Sequence, residues 1–182
     1  MPNKRVKTDE LTVNLLIYPH VLATSLTLPL EMLLAGEAFA RRYDKSVTKL
    51  STQILGQYAD AIKSRAGISI VPDSYLLAEK GDSKHSAVNA LAKSIPDIVI
   101  VPSLWRNPRP TIVQQPKMLK WLSHIWQQGT TLIGGGTGVC MMAETGILDN
   151  HPATTHWHYV EQFKRDYPKV DLKPDFFITQ SE

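Results

Sequence analysis

The sequence predicts an α/β protein, a three-layer α/β/α sandwich built on a mainly parallel sheet. Apolar segments of strand length alternate along the chain with segments whose apolar residues recur every three or four positions. Two of the strand-like segments, residues 11–18 and 97–101, are almost continuously apolar, which is typical of parallel strands that are covered on both faces. A third leads, within residues 131–148, through a glycine-rich turn into a helix. These patterns favour a sheet with helices on both faces.

The composition excludes several classes of protein. The 182 residues suit one domain, predicted over residues 11–182 after a disordered tail at 1–10. No apolar run reaches the length of a membrane span, and the polar N-terminus lacks a signal-peptide core, so we expect a cytoplasmic protein that does not contact membranes. A single cysteine, Cys140, excludes an intramolecular disulfide. The net charge of +3 is spread over scattered residues and leaves no footprint for nucleic acid.

The beginning of the chain predicts a strand followed by a helix. The strand covers residues 11–18 and ends at Pro19. Pro29 suits the first turn of a helix that continues over residues 30–43. Glu31 then lies at the start of this helix, near the carboxyl ends of the parallel strands, where ligands of such sheets bind.

The rest of the chain continues the alternation. Strands are predicted at residues 47–55, 68–71, 97–101, 130–133 and 176–179, helices at 87–94, 117–128 and 157–166, and loops at 79–85 and 102–110. We expect the strands at 11–18, 97–101 and 130–133 to be central in the sheet.

The glycine-rich turn has the spacing of a nucleophile elbow. In a nucleophile elbow, a buried strand leads through a tight turn into a buried helix. The turn has the sequence pattern G-x-Nuc-x-G and holds a catalytic nucleophile in strained geometry. Gly134 and Gly138 occupy the two outer positions, and the nucleophile position falls on Gly136. Since glycine has no side chain, the frame of a catalytic site is present without its reactive atom.

The elbow and the residues after it resemble the ThiJ/PfpI-like branch of the class I glutamine amidotransferase-like superfamily. More narrowly, they resemble the N-terminal domains of GlxA-type, AraC-family transcriptional regulators. The resemblance is specific at residues 134–148 (GGGTGVCMMAETGIL), 153–157 (ATTHW) and 163–168 (FKRDYP). It implies a flavodoxin-like sheet, a homodimer, and a helix-turn-helix domain that would follow this chain and bind DNA.

The resemblance also assigns site residues. It places Gly136 where enzymes of the superfamily carry their cysteine. Together with the position of ligands in open α/β sheets, it predicts a ligand pocket formed by Glu31, Gly135, Gly136, Thr137 and His156. Alternatives stay open: Glu31 could be a solvated carboxylate of the first helical turn, the glycines could serve the turn alone, and His156 could be a structural histidine.

Other reactive or aromatic residues receive less specific roles. Cys140 lies one helical turn beyond the elbow and is expected to be an inert buried thiol. His156 has no partner at a metal-like spacing, so neither a metal site nor a cofactor is expected. Trp157 is predicted to lie in the core, and Trp105, in the proline-rich loop, to border the pocket or a dimer surface.

Three functions are compatible with the sequence. The leading one is a non-enzymatic sensor domain of an AraC-family regulator, which binds a small effector such as an amine or an amino-acid-like metabolite. The second is a stand-alone ThiJ/PfpI-type hydratase, amidase or glyoxalase-like enzyme, against which Gly136 speaks because such mechanisms use a thiolate. The third is a structural dimerisation module with a vestigial pocket.

Overall fold

A computed structural model describes residues 10–76, 95–105 and 107–181. The strands within these residues are β1 (Glu10–Leu16), β2 (Lys49–Gly56), β3 (Ile62–Lys63), β4 (Ser69–Ile70), β5 (Ser74–Tyr75), β6 (Ile98–Val101), β7 (Thr131–Gly134), β8 (Pro152–Ala153) and β9 (Asp171–Leu172). The helices are α1 (Ala23–Tyr43), α2 (Arg109–Ile112), α3 (Pro116–Gln127), α4 (Val139–Glu144) and α5 (Val160–Asp166).

A five-stranded parallel sheet in the order β5-β2-β1-β6-β7 forms the centre of the fold. Strand β1 is its middle strand, with Leu15 paired to Ile54 on one side and to Ile100 on the other. The connections from β1 to β2 and from β6 to β7 run in opposite directions across the sheet. Right-handed crossovers therefore place α1 and α3 on opposite faces. The predicted α/β class and mainly parallel sheet are confirmed.

Apolar periodicity explains how the helices attach to the sheet. In α3 the residues Met118, Leu122 and Ile125, spaced four and three apart, are fully buried. Helix α4 is buried almost throughout, from Val139 to Ala143, as its continuous apolar sequence predicts. The short strand predicted at residues 68–71 is present as β4, which pairs antiparallel with β3.

The first helix begins earlier than predicted. Helix α1 starts at Ala23, and Pro29 lies inside it rather than in its first turn. A proline at this position removes only one backbone hydrogen bond, and the fully buried Leu26 holds the preceding turn against the core. Glu31 consequently lies in the third turn of the helix, and the prediction that it begins the helix is wrong.

Two strand predictions are also wrong. Strand β7 was expected to be buried and central, but it is the last strand in the order and exposes 47% of Ile133. Residues 176–179 form no strand, and Phe176, Phe177 and Ile178 are exposed. Their β propensity is high, but a strand also needs a neighbouring strand to complete its hydrogen bonds. The predicted loop at 79–85, the helix at 87–94 and the tail up to residue 9 lie outside the described residues, and Glu10 already belongs to β1.

Candidate functional site

The turn after β7 has the tight geometry that its glycines predict. Gly135 is extended, Gly136 has a positive φ of 48°, and a 3-10 turn over Gly136–Gly138 leads into α4. A Cβ atom at Gly138 would overlap the carbonyl oxygens of Val101 and Pro102, and one at Gly134 would lie 2.9 Å from Met142 Sδ. Strand β6, the turn and α4 therefore approach each other at distances that only glycine permits.

Thr137 fastens the turn to the loop that follows β6. Its hydroxyl accepts a hydrogen bond from the Leu104 amide (2.9 Å) and donates one to the Leu104 carbonyl (2.8 Å), and both residues are buried. The hydroxyl is thus committed to the backbone, so Thr137 positions the loop.

Ser103 adds a second attachment between the same loop and the turn. Its Oγ donates to the Gly135 carbonyl (2.7 Å), and its amide donates to Ser25 Oγ (2.7 Å) at the start of α1. A Cβ atom at Gly136 would overlap the Ser103 hydroxyl, so this side chain occupies the space beside the elbow. The three elements that meet at the carboxyl end of the sheet are held together by serine and threonine hydroxyls.

Beside this junction lies a cleft of about 610 Å³. Aromatic side chains dominate its described lining, which contains no Lys, Arg, Asp or Glu; the lining residues are Leu22, Ser103, Leu104, Trp105, Asn107, Thr137, His156, Trp157, His158, Tyr159 and Gln162. Its size is that of a pocket for a small organic molecule. Its surface suits a ligand that binds through apolar contact and through the faces of aromatic rings.

One wall of the cleft is the 3-10 turn at residues 157–159, just before α5. His156 begins this turn and accepts a hydrogen bond at Nδ1 from the His158 amide (3.2 Å). The His156 ring lies 5.3 Å from the Trp157 ring, measured between centroids. Across the cleft mouth, Gln162 Nε2 donates to Asn107 Oδ1 at 2.8 Å and joins this wall to the proline-rich loop.

Cys140 lies behind the cleft and is closed to solvent. Only 3% of the residue is exposed. Burial, followed by the negative charge of Asp166, raises the pKa of the thiol to about 12. Nearby, Arg109 pairs with Glu144 (3.3 Å) and Asp166 (3.6 Å), and these ion pairs join α2, α4 and α5. The thiol is therefore neutral at physiological pH and has no access to substrate.

Known proteins resemble this chain in one short sequence segment and in the fold. No family model matches the chain. A segment of 62 residues is 36% identical to the HTH-type transcriptional regulator CdhR of Pseudomonas aeruginosa, but this match covers 34% of the chain and only 18% of that regulator. An AraC family transcriptional regulator from Pseudomonas putida superposes with a TM-score of 0.67 and 19% identity over 90% of this chain and 76% of that one.

A ThiJ/PfpI family protein from Pseudomonas syringae superposes with a TM-score of 0.70 and 14% identity over 94% of this chain and 60% of that one. The chain has the ThiJ/PfpI fold. This confirms the flavodoxin-like sandwich that the resemblance implied.

Within the ThiJ/PfpI fold, the predicted pocket residues divide into three groups. Thr137 and His156 line the cleft. Gly135 and Gly136 lie outside its lining but adjoin it through Ser103. Glu31 is exposed on α1 and is not among the residues that line this cleft, and a pocket shared by all five residues stays a prediction. Because α1 begins at Ala23, before Pro29, Glu31 lies well along the helix from Leu22, which does line the cleft. Ligand binding by these residues stays a prediction.

Two tryptophans have roles that the sequence left open or misassigned. Trp157 was expected in the core, but it is 77% exposed and lines the cleft, because it begins the 3-10 turn rather than a packed helical face. Trp105 also lines the cleft, as one of the two alternatives proposed for it. Sequence reasoning missed Ser103, Asn107 and Gln162. Ser103 and Asn107 lie in the proline-rich loop at the carboxyl end of β6. Because ligands of such sheets bind at the carboxyl ends of the strands, this position could have indicated both residues.

Among the described residues, no group of three or more His, Cys, Asp or Glu side chains could hold a metal ion. In the same residues, no helix has the length and apolar character needed to cross a bilayer.

Proposed function

We propose that this chain is the sensor domain of a transcriptional regulator and that it binds a small organic effector in the cleft without transforming it. The aromatic cleft beside the elbow carries the proposal, because it offers a ligand-sized surface at the carboxyl end of the sheet. The similarity of a segment to an HTH-type regulator and of the fold to an AraC family regulator supports the regulatory role. DNA contact is assigned to a helix-turn-helix domain outside residues 1–182.

The effector is proposed to be an amine or an amino-acid-like metabolite. An amine fits the aromatic rings of Trp157 and Tyr159, which attract a cationic group. The Trp105 ring already has the Arg65 guanidinium over it, 5.9 Å from its centroid. The amide groups of Asn107 and Gln162 supply polar partners at the cleft mouth. A cleft of this kind selects ligands by shape and ring contact more than by net charge.

Tryptophan fluorescence tests ligand binding directly, because two of the four tryptophans line the cleft. The protein is titrated with a panel of primary, tertiary and quaternary amines and free amino acids, and thermal unfolding is followed in parallel. We expect a saturable change in emission for at least one class. Trp157→Ala should weaken that binding by about tenfold, or about 1.4 kcal/mol.

Trp126→Phe is the matched control, since Trp126 is 43% exposed on α3 and lies outside the cleft lining. It should leave the affinity unchanged. The effector class is refuted if no amine or amino acid changes either the emission or the melting temperature up to about ten millimolar, where even weak ligands bind.

Catalytic inactivity is the second part of the proposal. The thiolate chemistry of the superfamily needs a sulfur at the elbow, and position 136 holds glycine. Cys140 is neutral and buried, so it cannot substitute. The purified chain should not turn over methylglyoxal, an isonitrile or a peptide. Turnover that Cys140→Ala abolishes would instead establish the alternative, a ThiJ/PfpI-type enzyme.

A further inference from the structure

A wall of two side chains separates the cleft from a second, smaller cavity. Tyr159 and Gln162 line the cleft on one side of this wall and the smaller cavity on the other. The smaller cavity measures about 10 Å³ and also borders Phe163, Asp166 and Tyr167. The Asp166 carboxylate therefore lies directly behind a cleft whose own described lining contains no Asp or Glu. Because this cavity is too small for a ligand group, a ligand reaches Asp166 only when a side chain of the wall moves.

One nitrogen atom of the wall joins the two spaces. Gln162 Nε2 donates to Asn107 Oδ1 on the cleft side (2.8 Å) and to Asp166 Oδ2 on the cavity side (3.4 Å). The second distance is longer than that of a usual N–H···O hydrogen bond. The Asn107 oxygen is fixed as an acceptor, since it also accepts from the Arg109 amide at 3.3 Å. Two oxygen atoms, one of them charged, therefore face a neutral amide nitrogen.

The negative charge of Asp166 is only partly balanced by the described side chains around it. Arg109 pairs with it, but Arg109 Nη1 lies 3.6 Å from Asp166 Oδ1. The same guanidinium lies closer to Glu144, at 3.3 Å, and Tyr167 also donates to Glu144 at 3.0 Å. In this described cluster, one guanidinium pairs with two carboxylates, and Glu144 takes the shorter contacts. A further cation beside Asp166 is therefore electrostatically favourable.

We propose that the Gln162 amide occupies the place of a ligand's primary ammonium group, which Asn107 Oδ1 and Asp166 Oδ2 bind when Gln162 swings aside. The inference rests on the proposed function and narrows the effector to a primary amine. A primary ammonium carries three N–H donors and a positive charge. It satisfies both oxygens that Gln162 Nε2 contacts, and it neutralises Asp166. The organic part of the ligand then lies in the cleft against Trp157 and Tyr159.

The number of N–H donors decides which ligands this site accepts. A quaternary ammonium has no N–H group and cannot replace the two hydrogen bonds of the Gln162 amide. An alcohol supplies one donor and no charge. The site therefore prefers a primary amine over both, whereas a site made of aromatic rings alone binds quaternary ammonium groups.

Gln162→Lys tests the site without any ligand, because it tethers an ammonium group to the wall. Gln162→Met is the matched control, with a side chain of similar length and no N–H group. Each is made alone and together with Asp166→Asn, and urea denaturation gives the equilibrium constant of unfolding. With Asp166 present, Gln162→Lys should favour the folded state about tenfold over Gln162→Met, and Asp166→Asn should abolish this difference. A coupling of about twofold or less, the value of an ordinary ion pair four residues apart on a helix, overturns the proposal.

Tryptophan fluorescence measures the binding of three matched probes: phenethylamine, phenethyltrimethylammonium and phenethyl alcohol. We expect phenethylamine to bind at least about tenfold more tightly than the other two. Asp166→Asn should remove this advantage, and Gln162→Ala should strengthen the binding of phenethylamine, because no amide then competes for the two oxygens. Glu161→Gln removes a carboxylate that is 79% exposed on the same helix, and as the control it should leave all three affinities unchanged.

Three results of the binding experiment overturn the proposal. They are equal affinity for phenethylamine and its trimethyl derivative, an affinity for phenethylamine that Asp166→Asn leaves unchanged, and no binding of phenethylamine up to about ten millimolar. If another compound of the wider panel binds and Asp166→Asn does not change its affinity, the ammonium site is refuted while the sensor function stands. If no compound binds at all, the sensor function fails with it.

Discussion

The hydroxyl of Thr137 makes two hydrogen bonds with one backbone residue, Leu104, accepting from its amide at 2.9 Å and donating to its carbonyl at 2.8 Å. Thr137 belongs to the turn after β7, and Leu104 to the loop after β6. This reciprocal pair satisfies buried backbone groups of an irregular loop that no strand or helix can satisfy. It also sets the distance between two walls of the cleft.

Replacing Thr137 by valine should destabilise the protein by about 2–4 kcal/mol, because it leaves the amide and the carbonyl of Leu104 buried without a partner. Urea denaturation measures the loss. Thr48→Val removes a hydroxyl from an exposed position and should change stability by less than about 0.5 kcal/mol. Equal effects of the two substitutions would contradict the structural role of Thr137.

Gly138→Ala should be among the most damaging small substitutions in the chain. The added methyl group overlaps the carbonyl oxygens of Val101 and Pro102, both backbone atoms that cannot rotate away. We expect a loss of about 2–3 kcal/mol in the free energy of unfolding. At the neighbouring Gly135 a methyl group would lie 3.5 Å from Ser25 Oγ, an ordinary contact, so Gly135→Ala should be tolerated. Comparable losses at both positions would refute the overlap.

Alkaline pH should destabilise the fold through Cys140. Its pKa is raised to about 12 in the folded protein, mainly by burial, whereas an unfolded cysteine titrates near about 8.5. Above that lower value the unfolded chain releases a proton that the folded chain retains, so stability falls as pH rises. The slope approaches about 1.4 kcal/mol per pH unit. Burial also raises the pKa values of Tyr18 and Tyr167, which extends the loss to higher pH.

Urea denaturation at a series of pH values measures this slope, and Cys140→Ala should reduce it between about pH 8.5 and pH 10, before tyrosine titrates. Iodoacetamide should label native Cys140 slowly at neutral pH and rapidly in denaturant. A fast stoichiometric reaction of the native protein would show an accessible thiolate and contradict the burial.

Restoring a thiol at the elbow should require a second change. Gly136→Cys, made in a Cys140→Ala background, places a side chain at a positive φ and against the Ser103 hydroxyl, at a cost of about 1–2 kcal/mol. Ser103→Ala removes the overlapping oxygen. The variant that carries both substitutions should therefore lose less free energy of unfolding than the two single variants lose together. A double-mutant cycle followed by denaturation measures this positive coupling. Additive effects would place Ser103 away from the elbow side chain.

The sequence by itself determined the layer architecture and the turn. The almost continuously apolar segments at 11–18 and 97–101 are typical of strands buried between two layers, which predicts parallel strands and covering helices. The spacing of Gly134, Gly136 and Gly138 predicts a strand-to-helix elbow, since only glycine fits the close approach that the structure shows there. These features depend on residues near in the chain, or on burial alone.

Tertiary structure decided which surfaces meet and which stay exposed. The edge position of β7, the exposure of Trp157 and the missing strand at 176–179 depend on which neighbours each segment finds, and hydrophobicity and β propensity do not carry that information. Pro29 predicts a helix start but is equally compatible with a helix interior when the preceding turn is held by Leu26. The pairing of Thr137 with Leu104 spans 33 residues of sequence and arises only because β6 and β7 lie side by side in the folded sheet.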